Sequence, residues 1–159
     1  MTLSETDQVV IKTAEDILAK LGLEAEINLS KDRQKLEVVL KDRESGVLIG
    51  YHGENLNSFQ HLLKMIVYQK TSHWPSLMVE VGGYRENRER VLENMALSAA
   101  RRVKTSGRVL ALPPLPAFER RIVHLVLARE EGIIAESEGE GRGRRIMVKP
   151  AERREDLTG

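Results

Sequence analysis

Apolar positions recur along this chain with two alternating periods, and each change of period marks a new element. Val10, Ala14, Ile17, Leu18 and Leu21 fall on one stripe of a helix over residues 5–21, with Ser4 placed to cap its start and Gly22 to end it. Residues 24–29 then alternate, with Ala25, Ile27 and Leu29 on one face. After the polar turn 30–35, Leu36, Val38 and Leu40 repeat the alternation, which predicts two strands. A short apolar helix at 46–49 is closed by Gly50-Tyr51-His52-Gly53. Leu56, Phe59, Leu62, Leu63, Ile66 and Val67 mark a longer helix, which breaks over residues 71–75. Leu77, Val79 and Val81 give a third strand, ended by Gly82 and Gly83, so the first half reads αββααβ.

The second half opens with a helix over 85–106, carrying Val91, Leu92, Met95, Ala99 and Val103 in register and stopping at Gly107. Residues 109–112 predict a short strand. Pro113, Pro114 and Pro116 bar further ladder pairing, and Pro116 leads into a helix over 117–131 that Gly132 ends. Residues 133–137 and 144–149 predict a closing hairpin, whose connection offers Gly139, Gly141 and Gly143 for positive φ. The fold class is α+β. No flexible linker separates the halves, no repeat is visible, and the charged tail 151–159 is expected to fray.

Composition narrows the classes. The 159 residues are 41% hydrophobic, too apolar for disorder, and contain no Cys, which excludes disulfides, thiolate zinc sites and thiol nucleophiles. The longest stretch without Asp, Glu, Lys or Arg is residues 109–118, far short of a bilayer span, and the polar start shows no leader, so a cytoplasmic location is expected. The net charge of +1 hides an asymmetry. Residues 1–83 hold 7 Lys and 2 Arg against 12 acids, net −3, whereas residues 84–159 hold 2 Lys and 14 Arg against 12 acids, net +4. Arginine forks suit phosphate oxygens and stack on bases, while solvated helix faces laced with Glu–Arg pairs would give the same count.

Two small constellations carry candidate chemistry. Gly50 and Gly53 bracket a two-residue tip between helices, an arrangement that lets backbone approach a sugar–phosphate chain, with N–H groups and a helix N-terminus facing the anion. Arg120 and His124, four apart, share one face of the post-proline helix. A packing histidine and a plain turn are the structural readings of the same residues. Enzymatic constellations are weak: His52, His61, His73 and His124 are scattered with no metal-ligand spacing, and the 139–143 GxGxG precedes a strand, which is wrong for a dinucleotide cradle. Glu130, Glu131, Glu136, Glu138 and Glu140 read as a solvated surface. Trp74 and Tyr84, each beside Pro or Gly at an element end, read first as hydrophobic lids and second as base-stacking platforms. No catalytic residue, metal or cofactor is expected.

An Ile-Gly-x-x-Gly joining two helices within αββααβ resembles the type II KH domain, which holds about four single-stranded nucleotides against this loop. PAFERRIVH at 116–124 resembles the Arg-x-x-x-His signature of the R-three-H domain. SEGEGRGRR at 137–145 and Gly83-Tyr84-Arg85 with Arg88 and Glu89 complete a pattern similar to the bacterial Jag family, in which the two domains run in series. The resemblance covers about residues 5–150. It implies a KH domain at 1–83, an R-three-H domain with a C-terminal β-hairpin at 84–150, and a charged tail at 151–159. It further implies single-stranded RNA as partner, with single-stranded DNA as a competitor, held by Gly50, Tyr51, His52 and Gly53. Lys31, Arg33 and Lys35 would form the facing wall, and Arg120, His124, Arg142, Arg144 and Arg145 the second site. Two departures stand out. The extra N-terminal domain of many Jag proteins has no counterpart here, which reads as a short form, and the tip that usually holds Arg or Lys is Tyr51-His52. The competing expectation is an adaptor whose KH-like face pairs with a second small KH protein.

Overall fold

Each half of the chain folds around its own core. In the computed structural model the division falls inside the first turn of a helix, giving units Met1–Arg85 and Glu86–Gly159. The structure describes residues 3–30, 32 and 34–151, with residues 42 and 43 described in their backbone alone. Lys31, Arg33 and the tail from residue 152 onward lie outside the described residues.

In the first unit, α1 (Glu5–Lys20) starts at a reciprocal capping box: the Ser4 N–H donates to Asp7 Oδ2 at 2.8 Å and the Asp7 N–H to Ser4 Oγ at 3.1 Å. Leu21, expected on the helix stripe, is instead its exposed C-cap. Strands β1 (Ala25–Leu29) and β2 (Lys35–Leu40) pair antiparallel, and β3 (Met78–Val81) joins β2 in parallel, giving the order β1-β2-β3. Between β2 and β3 run α2 (Asp42–Ile49), a 3-10 turn (Tyr51–Gly53) and α3 (Glu54–Thr71). The alternating residues Leu36, Val38, Val79 and Val81 are buried with Val10, Ala14 and Leu18 of α1 and Leu56, Phe59, Leu63 and Val67 of α3. Fully burying one such aliphatic side chain stabilises by about 1.5–3 kcal/mol.

Leu62, expected on the inner face of α3, is 45% exposed, because positions 56, 59, 63 and 67 already fill the stripe that meets the sheet. With Met65, Tyr68 and Trp74 it belongs to the exposed large hydrophobic side chains; the Tyr68 and Trp74 rings lie 5.8 Å apart, and His61 lies 6.3 Å from Trp74. On the edge strand β3, the Val79 N–H donates to Gln60 Oε1 at 2.8 Å, and Arg85 Nε donates to the Val79 carbonyl at 2.9 Å. Glu80 is buried and accepts from the N–H groups of Val81 and Arg85.

The second unit consists of α4 (Tyr84–Ser106), β4 (Leu110–Ala111), α5 (Ala117–Leu127), β5 (Ile133–Glu138) and β6 (Arg145–Pro150), with an antiparallel sheet in the order β4-β6-β5. Leu92, Ala96, Ala99, Ala100 and Val103 of α4 are buried with Val123 and Leu127 of α5 and Ile146 and Val148 of β6. Val91, expected in this register, is exposed. The strand expected at 109–112 contracts to two residues. Helix α5 ends at Leu127 rather than residue 131, because Arg129 and Glu130 donate to carbonyls three residues back and tighten the chain into a turn before Gly132. In the β5–β6 connection Gly139 and Gly141 take positive φ and Gly143 does not; residues 141–143 form a 3-10 turn instead. Among the described residues no helix is long and apolar enough to cross a membrane.

One charge pair sits inside this core. Glu119, 0% exposed, accepts from Arg88 Nε at 2.7 Å and Nη2 at 2.9 Å, a bidentate fork that ties α5 to α4. The sequence pattern does not single out position 119, because a carboxylate rarely enters a core without such a partner.

Candidate nucleic-acid interface

The turn between α2 and α3 is shaped by backbone. Gly50 has φ 68°, His52 φ 51° and Gly53 φ 76°, three left-handed residues within four positions. A Cβ on Gly53 would stand 2.9 Å from Cε1 of Tyr84, and one on Gly50 would stand 2.5 Å from Cγ of Asn55, whose Nδ2 donates to the Val47 carbonyl at 2.9 Å. Glycine is therefore required at 53 by both conformation and space. Tyr84 packs on the core beneath the loop, in the lid role. The glycine N–H groups do not face outward as expected: Gly50 donates to the Gly46 carbonyl and Gly53 to the Gly50 carbonyl. What the tip presents outward is Tyr51, 74% exposed, with its ring edge-on to His52 at 4.1 Å. Helix α3 begins here without a side-chain cap, which leaves the positive end of its dipole at the tip.

In the turn 30–35, Ser30 Oγ donates to Asp32 Oδ1 at 2.5 Å and Asp32 accepts the Gln34 N–H at 3.1 Å. The Ser30 hydrogen bond, then that of Gln34, holds the Asp32 carboxyl below its ordinary value. Lys35 is exposed at the start of β2, its N–H donating to Ser30 Oγ. Asp32 sets a fixed anion in the expected cationic wall, a feature that a search for Lys and Arg overlooks. The structure brings Lys35 to this turn, and Lys31 and Arg33 lie outside the described residues.

In the second unit His124 and Ser137 are in contact, with Arg120 one turn before His124 on α5 and Arg144 acting on His124 electrostatically. Arg120 Nη1 donates to the Leu115 carbonyl at 2.6 Å, stapling α5 to the proline segment. One turn later, half-buried His124 places Nε2 2.7 Å from Ser137 Oγ on β5. Burial first, then the positive fields of Arg120 and Arg144, hold His124 below its ordinary value near 6.5, so it is a neutral hydrogen-bonding group at pH 7. Arg144, exposed at the end of the 141–143 turn, is thus within electrostatic reach of His124. Arg142 on the same connection and Arg145 at the start of β6 are both exposed. Ser137 escapes sequence reasoning as a partner, although it begins the SEGEG run, because a hydroxyl thirteen residues away gives no local signal. The neighbouring acids are engaged: Glu130 pairs with Lys104 at 2.7 Å, and Glu136 and Glu138 with Lys149 at 2.6 and 2.9 Å. Among the described residues no three His, Cys, Asp or Glu side chains could hold a metal.

Residues 90–150, which contain this cluster, match the R-three-H domain. The chain is 29% identical over 128 residues to the RNA-binding protein KhpB of Clostridium symbiosum, covering 80% of this chain and 58% of that protein. It is 30% identical over 139 residues to the RNA-binding protein KhpB of Streptococcus pneumoniae serotype 2 (strain D39), covering 87% and 42%. To the RNA-binding protein KhpB of Bacillus subtilis (strain 168) it is 23% identical over 126 residues, covering 78% and 61%. The chain thus spans between about two-fifths and three-fifths of the length of these curated relatives. The segment that holds Arg120, His124, Ser137 and Arg144 thus matches the R-three-H domain, within a chain similar over most of its length to the bacterial proteins named KhpB.

Proposed function

We propose that the chain binds single-stranded RNA through both units, in the cytoplasm, and catalyses no reaction. The observation that carries this reading is the His124–Ser137 contact, with Arg120 one turn away on the same helix, within the segment that matches the R-three-H domain. Fixed cations beside a neutral histidine and a hydroxyl offer both charge and directional donors to a phosphodiester. Arg142 on the hairpin connection and Arg145 at the start of β6 extend the cationic surface.

The first unit acts as a type II KH domain, a reading supported by its element order, its mixed sheet and the 50–53 loop between two helices. Gly50, Tyr51, His52 and Gly53 form one wall and Lys31, Arg33 and Lys35 the other. Two modest sites on one chain gain from effective concentration. Single-stranded DNA competes wherever contacts go to phosphate rather than to the 2′-hydroxyl. The exposed apolar side chains Leu62, Met65, Tyr68 and Trp74 favour a second reading, an adaptor that pairs with another small KH protein.

Fluorescence anisotropy with a random pool of 12-nucleotide RNA, and the same pool as DNA, separates these. RNA binding weakened both by Tyr51→Asp with His52→Asp and by Arg142→Gln with Arg144→Gln is the expected result. Unchanged affinity in the loop variant, with an intact far-UV spectrum, removes the KH groove and promotes the adaptor. An unmodified chain that leaves the pool free overturns the proposal.

A further inference from the structure

The second unit carries another cationic feature, remote in sequence from Arg120 and His124. An open groove of about 600 Å³ lies at the C-terminal end of α4, lined by Arg101, Arg102 and Arg108 together with the apolar residues Val103, Val109 and Leu110. Among the described residues none of these three arginines has an ion-pair partner; Lys104, their neighbour, is occupied by Glu130 at 2.7 Å.

The sequence agrees with the geometry. The first part of α4 mixes signs, with Arg85, Glu86, Arg88, Glu89, Arg90 and Glu93, as a solvated helix does. From residue 94 to residue 118 there is no acid at all, and the bases are Arg101, Arg102, Lys104 and Arg108. Compensation of the helix dipole accounts for cations in the last turn only. Arg108 lies beyond that turn, past Gly107, where its N–H donates to Ser106 Oγ at 3.2 Å, and it still lines the groove. Three like charges around one concavity repel one another, so the arrangement suits an anion that fills it.

We infer that this groove holds phosphodiester groups of the same single-stranded RNA, as a second contact surface of the unit that carries the R-three-H domain; this rests on the RNA-binding reading above. The occupant is a sugar–phosphate chain rather than a membrane because the charged lining is arginine, whose forks match phosphate oxygens bidentately. No aromatic side chain lines the groove to enter a bilayer, and apolar residues interleaved with arginines suit ribose and phosphate together.

The test is Arg101→Gln with Arg108→Gln in the full chain, read against the 12-nucleotide RNA pool over a salt series. Loss of two phosphate contacts flattens the slope of log K against log salt by about 1.4, at about 0.7 per contact on a single strand, and affinity at low salt falls about five-fold or more. The melting temperature stays in place. Wild-type slope and affinity in the variant overturn the groove and leave the RNA reading standing. An unmodified chain that binds no RNA overturns both. Co-sedimentation with phosphatidylglycerol vesicles that the double variant loses, with RNA binding unaltered, reassigns the groove to a membrane surface and overturns the inference.

Discussion

The first unit builds its candidate contact loop from backbone, and the second hangs its candidate contacts on side chains anchored to a core. At residues 50–53 the shape comes from three left-handed residues and a glycine pressed against Tyr84, and the tip carries no Lys or Arg. In the second unit Arg120, His124 and Arg144 bring charge, and the helix that carries the first two is moored by the Glu119–Arg88 fork. Shape without charge gives contacts that tolerate salt but fail on small steric changes. Charge on a moored helix gives contacts that weaken with salt and fail when the mooring is cut.

The largest effect expected is on that mooring. Arg88→Met leaves the fully buried Glu119 without its fork, at a cost of about 3–5 kcal/mol. Thermal and urea unfolding should show the second unit destabilised, and Arg88→Met with Glu119→Leu should recover most of the loss. If the single variant melts like wild type, the moored-helix half of the comparison collapses.

Gly53→Ala comes next. A Cβ at φ 76°, 2.9 Å from the Tyr84 ring, should cost about 1–3 kcal/mol and disturb the 50–53 tip. Gly82→Ala, also at positive φ but with open space around its Cβ, should cost less. Equal losses at the two sites would show that backbone strain alone, without the packing against Tyr84, accounts for the effect.

Arg120 and Arg144 sharpen the charge side. Arg120→Lys keeps the charge but loses the planar donor to the Leu115 carbonyl, which should lower stability by about 0.5–1.5 kcal/mol and leave the salt dependence of RNA binding intact. Arg144→Gln should do the reverse, flattening the slope by about 0.7 with no change in melting temperature.

The smallest effect is on proton uptake. Because the folded His124 titrates below 6.5, the unfolded chain binds more protons in between. Stability from this group is therefore complete above about pH 6.5 and is lost as pH falls through the folded value. Proton NMR of the imidazole should place that value below 6.5 and show it rising in Arg144→Gln. It should rise again when RNA phosphate is added, so binding tightens as pH drops from about 7 toward about 6. A His124 titration indifferent to both Arg144 and RNA would separate the imidazole from the interface.

What is legible in the sequence follows from range. The α1 cap, the alternation of β1 and β2 and the glycine-bounded turn between α2 and α3 depend on residues within a few positions of one another, and local pattern reports them. The end of α5 escapes that pattern because residues 128–131 are good helix formers while their hydrogen bonds have already tightened into a turn. Leu62 is apolar at a helical spacing, but only the position of the sheet decides which part of a broad stripe is covered. At the candidate sites the pattern is blind to partners: nothing local marks Glu119 as the acceptor of Arg88, and Ser137 reads as a hairpin residue until His124 meets it.

The two hydrogen bonds on Val79 have a consequence for how this protein meets other chains. An edge strand with bare amides and carbonyls is a template on which any extended peptide can add itself, including a copy of the same strand. Here Gln60 and Arg85 occupy both main-chain groups of Val79, so β3 is closed to such growth. The other edge of this sheet is β1. Replacing Gln60 or Arg85 would then act as the opening of a seam, with self-association into sheet-like polymers as its cost.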